Sequence, residues 1–448
     1  MSEVQIRAGM PGPSTATLTD LGGNRAVVVT VGGDSENRGA LTLDCGPVIS
    51  NAAELARHEQ VPCVLLISSS GANIAEGIGA SFGWGTAAKA LAAASGVVPI
   101  LACATGPVAA GPALLLGFAD FVVMTEASYA FVSGPLMVEQ FTGVPIGTDE
   151  LGGPGVHADR SGLASFVVTD EQAAIDVIAE LLLYLPPHID AIAPTVLTDD
   201  PVDRPTPEAG AVLPTSPTGS YDVRDVIRSV VDDGILVECR ARWAANIVTG
   251  LAAIGGTPVG IVANQPQILA GTLDIAASQK AARFVAFCDA FGIPLVTFVD
   301  TPGFQPGKDL EWRGMIRHGA QLAFAYARAT VPRVCVTLRK SYGGAYIVMD
   351  SKYMGNDVAL AWPNAEIAVM GAKGAVEILH RRTDPADRPM LEADYEARLL
   401  NPYRAADRGS VDAVIDPAET RREVAAALTV LQSKREHLVN RRHDNSPL

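Results

Sequence analysis

The chain contains two copies of one sequence pattern, and this internal repeat constrains the fold more than any other feature. Four landmarks recur in the same order and at a nearly constant offset, as their numbers show. They are Pro62-Cys63-Val64 with Pro294-Leu295-Val296, Gly71 with Gly303, Pro99 with Pro332, and Ala110-Gly111 with Gly343-Gly344. Landmarks that keep one register over about fifty residues indicate an internal duplication, because unrelated segments would not stay aligned.

Each copy alternates buried strands with helices. In the first copy, apolar runs predict strands at residues 61–67 and 97–104, with a helix at 78–95 between them. In the second copy, the same order predicts strands at 295–299 and 334–338 around a helix at 314–330. Strands that alternate with helices are typical of α/β folds with parallel sheets. We therefore predict two α/β domains with the same order of elements.

The stretch 191–221 separates the two copies. It is rich in Pro, Asp, Thr and Ser and has no apolar periodicity, which is typical of a linker. A chain of 448 residues is also too long for one ordinary core. The sequence thus predicts an N-terminal domain at residues 1–215 and a C-terminal domain at 216–448. Residues 1–21 are rich in Gly, Pro, Ser and Thr, and we expect them to lack regular structure.

Composition argues against several classes of function. The formal net charge of −15 disfavours nucleic acid and anionic membranes as partners, because both carry negative charge. The six cysteines lie far apart without a C-x-x-C pair, which disfavours a disulfide framework and a zinc ribbon. No apolar run reaches the length of about 18 residues that a membrane span needs, and the first residues lack the pattern of a signal peptide. We expect a cytoplasmic protein.

The repeated small-residue turns are the candidate reactive groups. Gly343-Gly344 follows a predicted strand, and two glycines there let backbone N–H groups point the same way without side chains in front of them. A helix that begins at Ala345 would add the positive end of its dipole. This arrangement suits an oxygen that gains negative charge during a reaction. Ala110-Gly111 repeats the device, so the chain is suited to a reaction with two such oxygens; the simpler alternative is a pair of tight turns.

Several longer motifs carry a resemblance to a known family. They are the run 339–349 (RKSYGGAYIVM), Asp300-Thr301-Pro302-Gly303-Phe304, Arg317-His318-Gly319-Ala320, Ala361-Trp362-Pro363, Val369-Met370-Gly371 and Asn401-Pro402-Tyr403. With these motifs the chain resembles the β subunits of biotin-dependent acyl-CoA carboxylases, the carboxyltransferases exemplified by propionyl-CoA carboxylase. The resemblance implies two tandem crotonase-like domains, each a spiral of ββα units.

The resemblance also implies a reaction and a role for each turn. CO2 would pass from N1′-carboxybiotin to the α-carbon of an acyl-CoA, with the acyl-CoA on the N-terminal domain and biotin on the C-terminal domain. The N–H groups of Ala110 and Gly111 would stabilise the thioester enolate. Those of Gly343 and Gly344 would stabilise the ureido oxygen of biotin after CO2 leaves. The leaving biotin can take the α-proton, so the reaction requires no protein base.

Further site residues follow from the same resemblance, with some departures from the family pattern. Gly71 and Ala72 would bind the acyl-CoA, Ile347 would give the acyl pocket an apolar wall, and Tyr342, Arg339 and Lys340 would bind substrate, the last two through the CoA phosphates or carboxybiotin. Ile347 stands where Asp is common in the family. The family also usually has Gly at Ala110 and Arg at Asn73. These changes suggest an unusual acyl substrate or an altered activity.

The resemblance implies that biotin is carried by another chain. The sequence has no Met-Lys-Met attachment tripeptide and no ATP-binding signature, so a biotin carboxylase/biotin carrier α subunit is the expected partner. We also expect a CoA thioester as substrate, no metal, and a homo-oligomer, namely a hexamer built as a dimer of trimers. Two alternatives stay open: a decarboxylase that acts on malonyl- or methylmalonyl-CoA, and a non-catalytic β-like scaffold subunit.

Overall fold

Two sheets of eight strands each, among the residues described, carry the fold. The computed structural model describes the backbone of residues 4–6 and residues 14–32, 37–216, 218–436, 438–440 and 442–447. The chain divides into two compact units. The first unit comprises Met1–Pro194 with Arg240–Trp243, and the second comprises Thr195–Cys239 with Ala244–Leu448. The predicted boundary between residues 215 and 216 stays a prediction.

The first unit contains β1 to β8 and α1 to α6. In chain order the elements are β1 (Val4–Ile6), β2 (Ser14–Leu21), β3 (Asn24–Gly32), α1 (Cys45–Glu59), β4 (Cys63–Ser69), α2 (Ile78–Ala94), β5 (Ile100–Ala109), β6 (Phe121–Thr125), β7 (Tyr129–Phe131), α3 (Pro135–Thr142), α4 (Thr148–Gly152), α5 (Pro154–Val156), β8 (Phe166–Val168) and α6 (Glu171–Leu182). Short 3-10 helices lie at Ile74–Glu76 and Gly111–Phe118.

The second unit contains the remaining elements. They are α7 (Pro207–Ala211), α8 (Val223–Val230), β9 (Val237–Glu238), β10 (Ile247–Ile254), β11 (Thr257–Asn264), α9 (Ile275–Ala290), β12 (Leu295–Thr301), α10 (Lys308–Trp312), α11 (Met315–Arg328), β13 (Arg333–Tyr342), α12 (Gly343–Val348), β14 (Val358–Ala361), β15 (Glu366–Ala368), α13 (Ala372–Leu379), α14 (Arg388–Tyr395), α15 (Pro402–Asp407), β16 (Ala413–Val414) and α16 (Thr420–Leu431).

The two sheets share one topology. The first has the order β1-β2-β3-β4-β5-β6-β8 with β7 beside β5, and the second has the order β9-β10-β11-β12-β13-β14-β16 with β15 beside β13. In each, the first three strands are antiparallel and the later pairs are parallel. The central strands β4 and β12 are mainly apolar and buried along almost their whole length, as expected for strands that are covered on both faces.

Strand register confirms the internal duplication. Ser14 pairs with Val31 in the first sheet, and Ile247 pairs with Asn264 in the second. The number of residues from Ser14 to Ile247 is the same as that from Val31 to Asn264. The parallel pairs β4–β5 and β12–β13 are irregular at matching points, between Ile67 and Ser69 and between Val299 and Thr301. The two halves therefore share details of backbone geometry as well as element order.

The expectation that residues 1–21 lack regular structure needs correction. Residues 14–21 form β2, which pairs along its whole length with β3, so the segment 1–21 is not without structure; residues 1–3 and 7–13 lie outside the described residues. The Gly-rich stretch 151–165 forms part of α4, then α5 and a π-helical turn at His157–Ser161. Tertiary pairing and short local turns here outweigh the composition.

The proposed linker has little regular structure, but it is bound to the second unit. Arg204 forms a bidentate ion pair with Asp200, at 2.6 and 2.9 Å. The buried Arg421 of α16 bonds to the carboxylate of Asp232 at 2.6 Å and to the carbonyl oxygen of Pro201 at 3.0 Å. Among the residues described, no helix is long and apolar enough to cross a membrane.

Candidate functional site

In the first unit, parallel strands bring two turns side by side. β4 and β5 are adjacent and parallel, so their carboxyl ends lie at the same edge of the sheet. A Cβ atom built on Gly71, just after β4, would lie 3.4 Å from Cβ of Ala110, just after β5. The structure therefore brings together Gly71 and Ala110, which the sequence had assigned to one site.

Ala110 holds a backbone conformation that favours glycine. Its φ is 58° and ψ is −139°, and Gly343 has nearly the same φ of 59° in the second unit. The N–H of Ala110 donates to the carbonyl oxygen of Phe131 at 3.0 Å. Gly111 opens the 3-10 helix Gly111–Phe118, so its N–H has no acceptor within that helix. Of the two predicted donors, Gly111 is the one whose N–H is left for a ligand.

Ala72, the residue after Gly71, presents a second N–H at this edge of the sheet. Leu41 donates its N–H to the carbonyl oxygen of Gly71 at 2.8 Å, and Asn73 donates to the carbonyl oxygen of Leu41 at 2.8 Å. In this parallel bridge the peptide groups on either side of Ala72 face Leu41. The N–H of Ala72 therefore points to the opposite side of the segment.

The second unit repeats this geometry at the end of β12 and β13. Leu273 donates to the carbonyl oxygen of Gly303 at 3.1 Å, and Gln305 donates to the carbonyl oxygen of Leu273 at 2.9 Å. The N–H of Phe304 therefore points away from Leu273, as that of Ala72 does from Leu41. A Cβ on Gly344 would lie 3.4 Å from the ring of Phe304. Sequence reasoning did not select Phe304 as a site residue, although the repeat makes it the equivalent of Ala72 and could have done so.

Two cavities of the second unit meet at this turn. One, of about 470 Å³, is lined mainly by apolar side chains, and the other, of about 550 Å³, carries tyrosines and two arginines. Gly344 and Ile347 line both. The smaller is bounded further by Phe304, Glu311, Met315, Ile316, Gly319, Ala320, Ala323 and Val348, and the larger by Gly343, Tyr346, Tyr353, Ile367, Ala368, Val369, Tyr395, Leu399, Arg404, Ala405, Arg408 and Ser410.

Arg339 lies behind the second turn rather than at either cavity. Its side chain is buried, and its guanidinium bonds to the carboxylate of Asp300 at 3.0 Å and to the carbonyl oxygen of Gly219 at 2.8 Å. The Tyr221 hydroxyl also donates to Asp300, at 2.9 Å. Burial raises the pKa of Asp300, and Arg339 opposes that rise. The contact of Arg339 with phosphates or carboxybiotin stays a prediction.

Lys340 and Tyr342 take different places. Lys340 is half-buried, and its N–H donates to Asp300 at 3.1 Å. The Tyr342 hydroxyl bonds to the carboxylate of Glu366. Burial and that carboxylate raise the pKa of Tyr342, so its phenol stays protonated. Neither residue lines the two cavities, whereas Tyr346, which sequence reasoning did not select, does; burial raises the pKa of Tyr346 to about 12.

Asn73 has a structural role at the position where the family usually has Arg. Its side-chain oxygen accepts the N–H of Ala75 at 3.1 Å and caps the 3-10 helix Ile74–Glu76. The carboxylate of Glu76 in turn accepts the N–H of Leu43 at 2.6 Å. These bonds hold the segment after Ala72 in place. Asn73 therefore supplies a helix-capping oxygen at a position where the family usually has the positive charge of Arg.

Histidines and cysteines form no further reactive cluster among the residues described. His157 bonds through both ring nitrogens, to Ser161 and to the carbonyl oxygen of Ala130, each at 2.7 Å. The six cysteines are free and buried. No group of three or more His, Cys, Asp or Glu side chains in the described part of the chain is placed to hold a metal ion.

Comparison with known proteins gives consistent matches over nearly the whole chain. The family model described as "Carboxyl transferase domain" matches residues 25–446. The propionyl-CoA carboxylase beta chain of Saccharopolyspora erythraea is 45% identical over 429 residues, which cover 92% of this chain and 79% of that protein. The methylmalonyl-CoA decarboxylase subunit alpha of Propionigenium modestum is 42% identical over 407 residues, with 89% and 79% covered.

One solved structure also matches over nearly the whole chain. The transcarboxylase 12S structure with hydrolysed methylmalonyl-coenzyme A, whose description gives a hexamer assembly, superposes with a TM-score of 0.94 at 40% identity. The match covers 97% of this chain and 85% of that chain.

Proposed function

The chain belongs to the carboxyl transferase domain family, and from this membership we propose that its two turns move CO2 from N1′-carboxybiotin to the α-carbon of an acyl-CoA. It is a carboxyltransferase of the propionyl-CoA/acetyl-CoA carboxylase type. The resemblance stated from sequence, the pair of crotonase-like domains and the enzyme class are confirmed. The roles of individual residues are part of the proposal.

The observation that carries this proposal is the equivalence of the two turns. Ala110 and Gly343 share one positive φ at equivalent positions of the repeat, and each precedes a glycine at the end of a central strand. At the first turn, the N–H groups of Ala72 and Gly111 would hold the thioester oxygen as it becomes an enolate oxygen. At the second, the N–H groups of Gly343 and Gly344, as predicted from the sequence, and that of Phe304 would hold the urea oxygen of biotin. Such donors act strongly because they are oriented before the charge develops.

Biotin enters this scheme as a substrate that another chain carries. It supplies the CO2 and, once decarboxylated, can accept the α-proton. The residues of this chain bind and orient the two substrates and exclude water. Ile347, on the wall of both cavities, favours an apolar acyl group such as acetyl or propionyl.

Two partners follow. A biotin carboxylase/biotin carrier α subunit would supply carboxybiotin. Further copies of this chain would form a homohexamer, and exposed apolar side chains in both units support such an assembly: Ile74, Ile78, Phe82 and Phe141 in the first unit, and Trp312, Ile316 and Val369 in the second.

A direct transfer assay tests the function. The purified chain, incubated with a carboxylated biotin carrier and acetyl- or propionyl-CoA, should form malonyl- or methylmalonyl-CoA. Gly343→Val should abolish the transfer, because φ is 59° there and a Cβ would lie 3.0 Å from the carbonyl oxygen of Val369. Gly292→Val is the matched control, with φ of 65° and no atom within 4 Å of its Cβ position. If the wild-type chain transfers CO2 and Gly343→Val does so fully, the role of this turn is wrong; a scaffold subunit would instead be indicated by unchanged transfer in a complex of Gly343→Val with a catalytic paralogue.

A second candidate activity is decarboxylation. It is supported by the 42% identity to the methylmalonyl-CoA decarboxylase subunit alpha. The chain would then move the carboxyl group of methylmalonyl- or malonyl-CoA onto biotin, from which CO2 is released. With carboxyl-labelled methylmalonyl-CoA, a biotin carrier and no ATP, loss of label without net carboxylation of propionyl-CoA in the forward assay would favour this direction.

A further inference from the structure

A tryptophan side chain covers the glycine of the first turn. A Cβ built on Gly111 would lie 2.7 Å from Nε1 and 2.8 Å from Cε2 of Trp84, so the pyrrole edge of the indole faces the turn. Trp84 lies on α2, and the residue before it is held by close contact with α1. A Cβ on Gly46 of α1 would lie 2.3 Å from the carbonyl oxygen of Gly83. The position of the indole is thus set by backbone packing.

The indole N–H of Trp84 is available to a ligand. The side chain is half-buried and packs against the first core. Within the described part of the chain, its Nε1 donates to no protein acceptor. A buried or half-buried indole N–H usually finds a partner, so one that faces a reactive turn is suited to a substrate oxygen.

Distance permits Trp84 and Gly111 to bind one ligand group. The Cβ position of a residue lies about 2.5 Å from its own amide nitrogen. With 2.7 Å from that position to Nε1, the two nitrogens are separated by at most about 5.2 Å. Two donors that each reach about 2.9 Å can bind two oxygens on adjacent carbons of one ligand, such as a thioester oxygen and a carboxylate oxygen, across that span.

The second turn lacks this donor. There, the ring of Phe304 covers Gly344, and Ile316, which the offset between Gly71 and Gly303 aligns with Trp84, lines the apolar cavity together with Gly344. An aromatic side chain therefore lies over each turn. In the first unit it is Trp84 of α2, and in the second it is Phe304, which follows β12. Only the cover of the first turn carries an N–H group.

We propose that Trp84 is a specificity-determining residue whose indole N–H binds the carboxylate on the α-carbon of the carboxylated acyl thioester. This rests on the proposed function, in which the N–H groups of Ala72 and Gly111 already satisfy the thioester oxygen. The carboxylate is bonded to the adjacent carbon, and a hydrogen bond to a charged oxygen is stronger than one to a neutral oxygen. Trp84 therefore favours the carboxylated thioester over its uncarboxylated counterpart.

Calorimetric titration of the full-length oligomer with methylmalonyl-CoA and with propionyl-CoA tests this inference. Trp84→Phe should weaken methylmalonyl-CoA binding about tenfold, because it loses the donor and keeps a ring, and should change propionyl-CoA binding less than about twofold. Trp243→Phe, at a half-buried side chain that packs against Gly162, is the control and should change neither. Trp84→His, which retains a ring N–H, should restore part of the preference and serves as the second variant if Trp84→Phe does not fold.

The outcomes separate this inference from the function on which it rests. If Trp84→Phe leaves the ratio of the two affinities unchanged, the inference is overturned. Equal weakening of the binding of both thioesters would show that the indole acts only as a steric wall. Failure of both thioesters to bind the wild-type chain would overturn the proposed function, and the inference with it.

Discussion

At the scale of single residues, the two turns reach the same backbone geometry with different residues. Gly343 adopts φ of 59° without strain, whereas Ala110 combines φ of 58° with ψ of −139° despite its Cβ atom, which costs roughly 1–3 kcal/mol. The hydrogen bond from the Ala110 N–H to Phe131 helps to hold that conformation. The first turn is therefore narrower than the second, and its free N–H groups belong to Gly111 and Ala72.

Gly111→Ala should reduce carboxyl transfer on the order of 100-fold, because a small displacement of a positioned donor has a large effect on rate. The added methyl group would lie 2.7 Å from Trp84 Nε1, so the turn or the indole must shift. The transfer assay measures the rate, and circular dichroism checks that the variant is folded. Gly117→Ala, on the same 3-10 helix with no atom within 4 Å, should keep the wild-type rate. Equal rates for the two variants would contradict a role for this turn.

At the scale of elements, ion pairs attach irregular segments to the second sheet and its helices. Asp200 and Arg204 order the segment after residue 195, and Arg421 of α16 reaches the same segment and Asp232. The carboxylate of Asp232 also accepts the N–H groups of Gly255 and Gly256 at 2.8 and 2.7 Å, at the turn between β10 and β11. A stretch with linker-like composition is thus part of a folded unit.

Asp200→Asn should lower stability to urea at neutral pH by about 1–3 kcal/mol, because the side-chain hydrogen bond from Arg204 is weakened. That bond lowers the pKa of Asp200 below 3.8. A carboxyl group with a lowered folded-state pKa stabilises the fold above its unfolded-state pKa, and the stabilisation is lost as pH falls through the folded-state pKa.

The difference in stability between wild type and Asp200→Asn should therefore be constant from pH 8 to about pH 5. Below about pH 4 this difference should decrease towards zero. Urea midpoints across this range measure it. Asp309→Asn is the control, because Asp309 and Arg313 form an exposed pair at 3.3 Å and such pairs contribute little. A difference that grows as the pH falls would contradict the assignment.

At the scale of the whole molecule, apolar side chains remain exposed in both units. Ile78 and Phe82 lie four residues apart on one face of α2 and are 86% and 64% exposed. Contiguous apolar surface of this kind usually marks a protein interface. We propose that further copies of the chain bind this apolar surface of α2.

Ile78→Asp combined with Phe82→Asp should dissociate the proposed homo-oligomer, since burying two carboxylates in an apolar interface is costly. Light scattering after gel filtration measures the mass. Lys89→Asp changes the net charge by the same amount at an exposed site of the same helix and should leave the mass unchanged. A double variant of wild-type mass would exclude this face as the interface.

The sequence by itself determined the duplication, the α/β class and the family. Repeat spacing, apolar runs such as 295–299 and the motif around Gly343-Gly344 are local properties of the chain, and they specify strands, turns and helices through short-range geometry. Because the halves share one offset, equivalence of the turns could be read before any contact was known.

Only the tertiary structure decided which groups face a ligand. The Ala110 N–H is taken by Phe131, Arg339 is paired with Asp300, and Trp84 lies over Gly111. Each of these contacts joins residues that are far apart along the chain. No local pattern encodes them, because they depend on how strands pair and how helices pack against the sheet.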